Sequence, residues 1–372
     1  TEPQVYARAY HDAYAFIKRV DPTAQVAPAG LVQVTPGRLQ YLDIVWNTYQ
    51  QLYGDDMPVD AWNMHLYILP EALPDGQPNG IANIAVGTDP ALAIRGSGDD
   101  PEKCADDSVY CYAEHDNMTE FAKQIVAMRQ WMKNHGQQGK PLLLTEYSIL
   151  YPYVLDNPPD PASCYLKDEY GNCFTPERVV SFADNTLSYL DTAADGELGY
   201  PRDGNRLVQR WVWYSVQTDN VGFVSSLVNG AYTDMSVVGQ AYANRAAAAP
   251  RTWNLYPKAV YGSFNSTLTV EVRNAGSIPT TASFTVSFYR NAGLTDLIGS
   301  VTIPAGLRGC DSESAQARVT WPNLGSGTYA FWVKVDANGA VAETQEDDNV
   351  IQGTLVVSDY RLTLPLISRN AR

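Results

Sequence analysis

The hydrophobic period of this chain changes once, at Ala246-Ala-Ala-Ala-Pro250, and that change divides what it can fold into. Before it, a helix running to Asp21-Pro22 is followed by a strand Ala24–Gly30, a helix from Thr35 to Tyr53 stopped by Gly54, and a strand Val59–Ile68. The series continues with a helix from Met118 to His135, a strand from Pro141 to Leu150 and a helix opened by Thr175-Pro-Glu that runs to Ala194. A strand Leu207–Val216 and a short helix from Met235 to Ala247 complete it. Strand and helix in strict alternation predict a parallel α/β fold. Beyond Pro250 the period is two, in Leu268, Val270 and Val272, in Phe284, Val286 and Phe288, and in Tyr329, Phe331 and Val333. Turn signals such as Asn274-Ala-Gly, Asn291-Ala-Gly and Asn338-Gly separate these runs, which predicts a sandwich of about seven short strands. The expected layout is an α/β unit over 1–247, a linker over 248–257, a sandwich over 258–358 and a tail over 359–372. A length of 372 residues agrees with two domains.

A formal charge of -15 argues against nucleic acid and anionic membrane surfaces as partners. No apolar run approaches the roughly 20 residues that cross a bilayer, so no membrane insertion is expected. Many of the 24 Tyr and 8 Trp fall in loops or at strand ends, where amphipathic rings suit hydroxylated ligands such as sugars. Cys104 and Cys111, and Cys164 and Cys173, form two local pairs in loops, the pattern of disulfides in an oxidising compartment. A metal site is the competing reading, but no His stands at ligand spacing. Cys310 is left over: free, bonded between chains and hence open to self-association, or paired with a cysteine outside this sequence. An extracellular or cell-surface location is expected.

The candidate catalytic group is Glu146. Leu142-Leu-Leu144 reads as a strand buried on both faces, and the apolar run then meets this carboxylate and Tyr147. Ligands in parallel α/β folds bind outside the carboxyl ends of the strands, and a charge is costly to bury unless paired or used. A strand-end Glu paired with an Arg is the plainer alternative. His65 and Tyr67 end the Val59–Ile68 strand and can contact sugar hydroxyls or the carboxylate; a histidine merely lining a strand end is equally admissible. Trp211 and Trp213 share one strand face, either stacking on a sugar or packing in the core. No phosphate-binding glycine loop, trusted Ser-His-Asp order or metal-ligand spacing occurs, so no cofactor and no metal are expected.

The first 247 or so residues resemble the carboxyl-terminal half of a clan-A-type (β/α)8 glycoside hydrolase barrel. The pieces are the helix with Ala15-Phe-Ile-Lys-Arg-Val-Asp-Pro-Thr-Ala24, then Val26-Ala-Pro-Ala-Gly30, Trp62-Asn-Met-His-Leu-Tyr67, Leu144-Thr-Glu-Tyr147 and Arg210-Trp-Val-Trp-Tyr-Ser215. The resemblance implies strands five to eight, with Glu146 as nucleophile at the end of strand seven and a strand-eight aromatic flooring a sugar subsite. It also implies an acid/base Glu at the end of strand four, which lies upstream of this chain. Glu2 falls inside the first helix, which reads as capped by Thr1 with Pro3 in its first turn and Gln4 closing a capping box. About four βα units are visible where a barrel needs eight strands.

Residues from about 260 to 357 resemble a CARDB-type module, an immunoglobulin-like sandwich of bacterial surface and secreted proteins. The resemblance rests on Val272-Arg-Asn-Ala-Gly276, Gly327-Thr-Tyr-Ala-Phe-Trp-Val-Lys-Val-Asp336 and Val341-Ala-Glu-Thr-Gln-Glu-Asp-Asp-Asn349. Asp336, Glu343, Glu346, Asp347 and Asp348 form an acidic group that either binds Ca2+ or is a solvated face. Three functions follow: a secreted, retaining glycoside hydrolase acting on a poly- or oligosaccharide, a structural or adhesive surface protein, or a carbohydrate-binding protein without catalysis.

Overall fold

The computed structural model describes residues 1–22, 24–72, 82–98, 100–150, 168–218, 223–263, 266–309 and 311–358. Two compact units are present, Thr1–Ala247 and Ala248–Arg372. Among the described residues no helix is long and apolar enough to cross a membrane.

The first unit contains α1 (Pro3–Val20), α2 (Pro36–Tyr53), β1 (Trp62–Leu66), α3 (Met118–Asn134), β2 (Leu142–Tyr147), α4 (Pro176–Thr192), β3 (Arg210–Trp213) and α5 (Val237–Ala248). The strands form one parallel sheet in the order β1-β2-β3. Trp62, Met64, Leu142, Leu144 and Trp213 point from it into a core shared with Val45 and Trp46 of α2, Ile125 and Met128 of α3 and Phe182 of α4. Helix ends follow local chemistry: Asn117 accepts from Thr119 N and Glu120 N to start α3, and Thr175 accepts from Arg178 N to start α4. Gly54 takes φ +78° to close α2, a conformation that a β-carbon would strain.

Two expectations are corrected. The cap of α1 is Glu2, not Thr1, and no side-chain bond closes a capping box there. Ala24–Gly30 forms no strand; the Pro28 carbonyl accepts from Asn63 Nδ2, and a parallel bridge of Leu31, just beyond the segment, to Met64 joins the chain to β1. Pro28 has no N–H, the Val26 amide is taken by the Asp60 carboxylate, and the Ala29 amide bonds the Tyr6 hydroxyl, so little donor capacity remains for a ladder. The sheet among the described residues therefore has three strands, not four.

The described part of the long connection between β1 and α3 is arranged around a buried carboxylate. Glu71 accepts bonds from Thr35 Oγ1, Arg38 Nε and Ile94 N. Around it lie two short parallel pairings, Glu71–Ala72 with Ala82–Asn83 and Arg95–Gly96 with Val109–Tyr110. The Cys104–Cys111 disulfide closes the last turn of this loop.

The second unit has seven strands: β4 (Leu255–Gly262), β5 (Thr267–Asn274), β6 (Phe284–Tyr289), β7 (Leu297–Ile303), β8 (Ser314–Thr320), β9 (Gly327–Lys334) and β10 (Val350–Val357). They form two antiparallel sheets, β7-β6-β9-β10 and β8-β5-β4. The alternation in the sequence supplies the core, in which Leu268, Val270, Val272, Phe284, Val286, Phe288, Phe331 and Val333 are all fully buried. The first of these strands starts at Leu255, inside the segment expected to be linker.

The acidic group in this unit is only partly a solvated face. Asp336 is buried and accepts from Ala340 N and Val341 N, and Glu343 accepts from Leu255 N and Asn349 Nδ2. Asp348 accepts from Asn254 Nδ2, while Glu346 and Asp347 are exposed. Burial, with Glu346 and Asp336 nearby, pushes the Glu343 carboxyl from 4.5 up to about 7. A carboxyl raised on folding stabilises fully below its unfolded value, and that contribution is lost as pH rises through about 7. The melting temperature of this unit is therefore expected to be higher at pH 5 than at pH 8, with Glu343→Gln flattening the difference. Equal slopes in calorimetry of the two proteins would disprove the assignment.

Candidate active site

Glu146 stands at the carboxyl end of the central strand, β2, opposite His65 in the register with β1. Both neighbouring ladders shift register here, between Met64 and His65 and between Leu144 and Tyr147. The shift turns Glu146 out of the buried layer while Leu144 and Tyr147 remain inside it. Its side chain is 30% exposed.

Two side chains converge on this carboxylate. The Tyr67 hydroxyl donates to Oε1 at 2.7 Å, and His65 Nδ1 lies 3.5 Å from Oε2. Tyr67 is 3% exposed, and burial, followed by the neighbouring Glu146 charge, raises its phenol well above the ordinary range. The phenol is thus a neutral, fixed donor at any physiological pH. Gly30 faces this corner: a β-carbon there would run into Asn63 Oδ1 and approach His65 within 2.9 Å. The lack of a side chain at Gly30 is what lets the bridge segment lie so close to His65.

Among the described residues no Lys or Arg pairs with Glu146, so the strand-end Glu–Arg pair is not formed there. What the arrangement can do chemically is present a half-exposed carboxylate, one oxygen fixed by a neutral phenol, at the mouth of a parallel sheet. That suits a nucleophile or an ion stabiliser better than a proton donor.

Tyr147 and Trp213 lie elsewhere than expected. Tyr147 is fully buried and makes an edge contact with Trp213 at 5.2 Å between ring centroids. Trp213 Nε1 donates to the Ser225 carbonyl at 2.8 Å, and Trp211 packs partly buried against the same core. The two tryptophans do share a strand face, but it is the helix-covered one. This corrects the expectation that Tyr147 and Trp213 bind sugar, since both rings are buried, whereas Trp211 is only partly covered. Tyr214, next along the chain and with its amide bonded to the Tyr147 carbonyl, is near enough to raise the Tyr67 phenol electrostatically. Its position just past the end of β3 was the available sequence signal.

Cys173 is disulfide-bonded, and its expected partner Cys164 lies outside the described residues, as do Cys310 and the loop tyrosines Tyr151 and Tyr153. Two glutamines that the sequence reading passed over, Gln33 and Gln124, are buried beside Tyr67 and Leu69. Gln124 interrupts the apolar stripe Phe121, Ile125 and Met128 of α3, which was the signal for it.

Comparison with known proteins finds a family for part of the second unit. Residues 252–353 are a CARDB domain. Of the solved structures, the CARDB domain of a Pyrococcus furiosus protein is 23% identical, with 29% of this chain and 96% of that one covered and a TM-score of 0.24. An FMN-binding β-glucuronidase from Faecalibacterium prausnitzii is 10% identical over 94% of this chain and 38% of its own, with a TM-score of 0.29. β-Glucosidase 3B from Thermotoga neapolitana, in complex with α-D-glucose, is 14% identical over 64% of this chain and 34% of its own, with a TM-score of 0.19. Among curated proteins none matches.

Proposed function

We propose that the first unit is the carboxyl-terminal part of a (β/α)8 glycoside hydrolase and that Glu146 is its nucleophile. The observation that carries this reading is the Glu146 carboxylate at the mouth of the parallel sheet, with the buried Tyr67 phenol 2.7 Å from Oε1. In a retaining mechanism the free oxygen attacks the anomeric carbon and the leaving-group oxygen takes a proton from a second carboxylic acid about 5–5.5 Å away. Water then cleaves the glycosyl ester, and that second group serves as base. In the barrels that the first unit resembles the acid/base is a Glu at the end of strand four, and on that resemblance it is assigned to residues outside this sequence. Tyr67 holds the nucleophile in one orientation, and the half-exposed His65 is placed to contact a sugar hydroxyl.

The partner is a poly- or oligosaccharide, met outside the cell or at its surface. The Cys104–Cys111 bond supports an oxidising compartment, and the CARDB domain supports a surface setting. An activated 2-deoxy-2-fluoro glycoside tests the assignment by trapping the glycosyl ester. Peptide mapping should place the label on Glu146, and a label on any other carboxylate would refute the role given to it.

A further inference from the structure

The Tyr67–Glu146 bond depends on how the end of β1 is held, and two buried side-chain amides hold it. β1 stops at Leu66, so Tyr67 to Leu69 have no strand ladder. Gln124, on α3 and 1% exposed, donates from Nε2 to the Tyr67 carbonyl at 2.8 Å and accepts from the Val34 amide at 2.7 Å. Gln33, fully buried, donates to the Leu69 carbonyl at 2.9 Å and accepts from the Leu69 amide at 2.8 Å. Each glutamine does what a neighbouring strand would do, satisfying one backbone donor and one acceptor. Together they lock Val34 and the stretch Tyr67–Leu69 into one piece and tie that piece to α3.

We infer that Gln124, supported by Gln33, is a positioning residue for the active site, acting through Tyr67 on Glu146. An apolar substitute leaves the Tyr67 carbonyl and the Val34 amide buried without partners, and the segment must shift to find new ones. A shift near 1 Å suffices to misalign a reacting group. Gln33→Met releases Leu69 and acts in the same direction. The inference rests on the hydrolase reading for its catalytic consequence, but not for its geometric one.

The test is tyrosine 13Cζ NMR on this chain, with the Tyr67 resonance identified by its loss in Tyr67→Phe. Glu146→Gln gives the resonance position when the phenol no longer faces a carboxylate. In Gln124→Met the Tyr67 signal should move toward that position, and in the active protein kcat should fall by up to about 100-fold with KM little changed. Should Gln124→Met fail to fold, Gln33→Met is read the same way. A folded variant whose Tyr67 signal stays at the wild-type position overturns the inference. A displaced signal, with no glycoside cleaved by the enzyme that also carries the acid/base residue, upholds the positioning role and overturns the hydrolase reading instead.

Discussion

Glu146→Ala lowers kcat/KM on aryl glycosides by several thousand-fold or more, about the scale of loss when a covalent nucleophile is removed. The loss comes in kcat, because the carboxylate acts in bond formation to the anomeric carbon and hardly at all in ground-state binding. Small external nucleophiles such as azide should restore part of the rate, since alanine leaves room where the carboxylate stood. Stability should change little, because the side chain is 30% exposed and its removal leaves no buried charge unpaired. Tyr67→Phe should fall between wild type and Glu146→Ala, since it removes the donor at 2.7 Å and leaves the nucleophile in place. Retention of more than about a tenth of the wild-type rate by Glu146→Ala would end the assignment.

Arg129→Met destabilises the first unit by about 3 kcal/mol or more and lowers its melting temperature by roughly 10 °C. Arg129 is fully buried on α3 and forms no ion pair among the described residues. Its guanidinium instead donates to the Leu207 carbonyl at 2.6 Å, the Lys140 carbonyl at 3.0 Å and Gln209 Oε1 at 2.6 Å. These groups lie just before β2 and β3, so a single side chain fastens the starts of two neighbouring strands to the helix behind them. Burial draws the Arg129 pKa down to about 10, which means that the charge itself opposes folding at neutral pH. The hydrogen bonds must outweigh that penalty. Methionine fills similar space but strands the carbonyls, and an orphaned buried acceptor costs more than a bond is worth. A drop of less than about 2 °C by calorimetry would show that the loops relax to satisfy these groups another way.

Much of the architecture was legible in the sequence because it rests on period. The core positions of β5, β6 and β9 could be marked from alternate residues alone, since strand faces follow a period of two regardless of tertiary context. The carboxylate at the strand end was legible because Glu146 interrupts an apolar run where ligands bind in such folds. Which face a strand turns to the helices was not. Trp211 and Trp213 were correctly paired, but their direction depends on what covers the sheet, and no local signal in Arg210–Ser215 carries that. The Ala24–Gly30 segment failed for a different reason: its donors bond Asp60 and Tyr6, partners distant in sequence. Gln33 and Gln124 were equally hidden, because a glutamine standing in for a missing strand cannot be told from a surface glutamine until the gap it fills is known. The acidic group from Asp336 to Asp348 looked like a solvated face or an ion site, and much of it wires backbone amides instead.

The pairings in the parallel sheet have a kinetic consequence. Trp62 lies against Leu142, and Leu143 against Arg210, so each contact waits on the closure of a very long stretch of chain. In the second unit β4 with β5, β6 with β7 and β9 with β10 are neighbours in sequence, and those ladders close over short turns or loops. Folding slows as contacting residues lie further apart along the chain. Those three hairpins are then the strand pairings expected to form first, and the unpaired strands of the unfinished first unit lengthen the period during which the protein is open to aggregation.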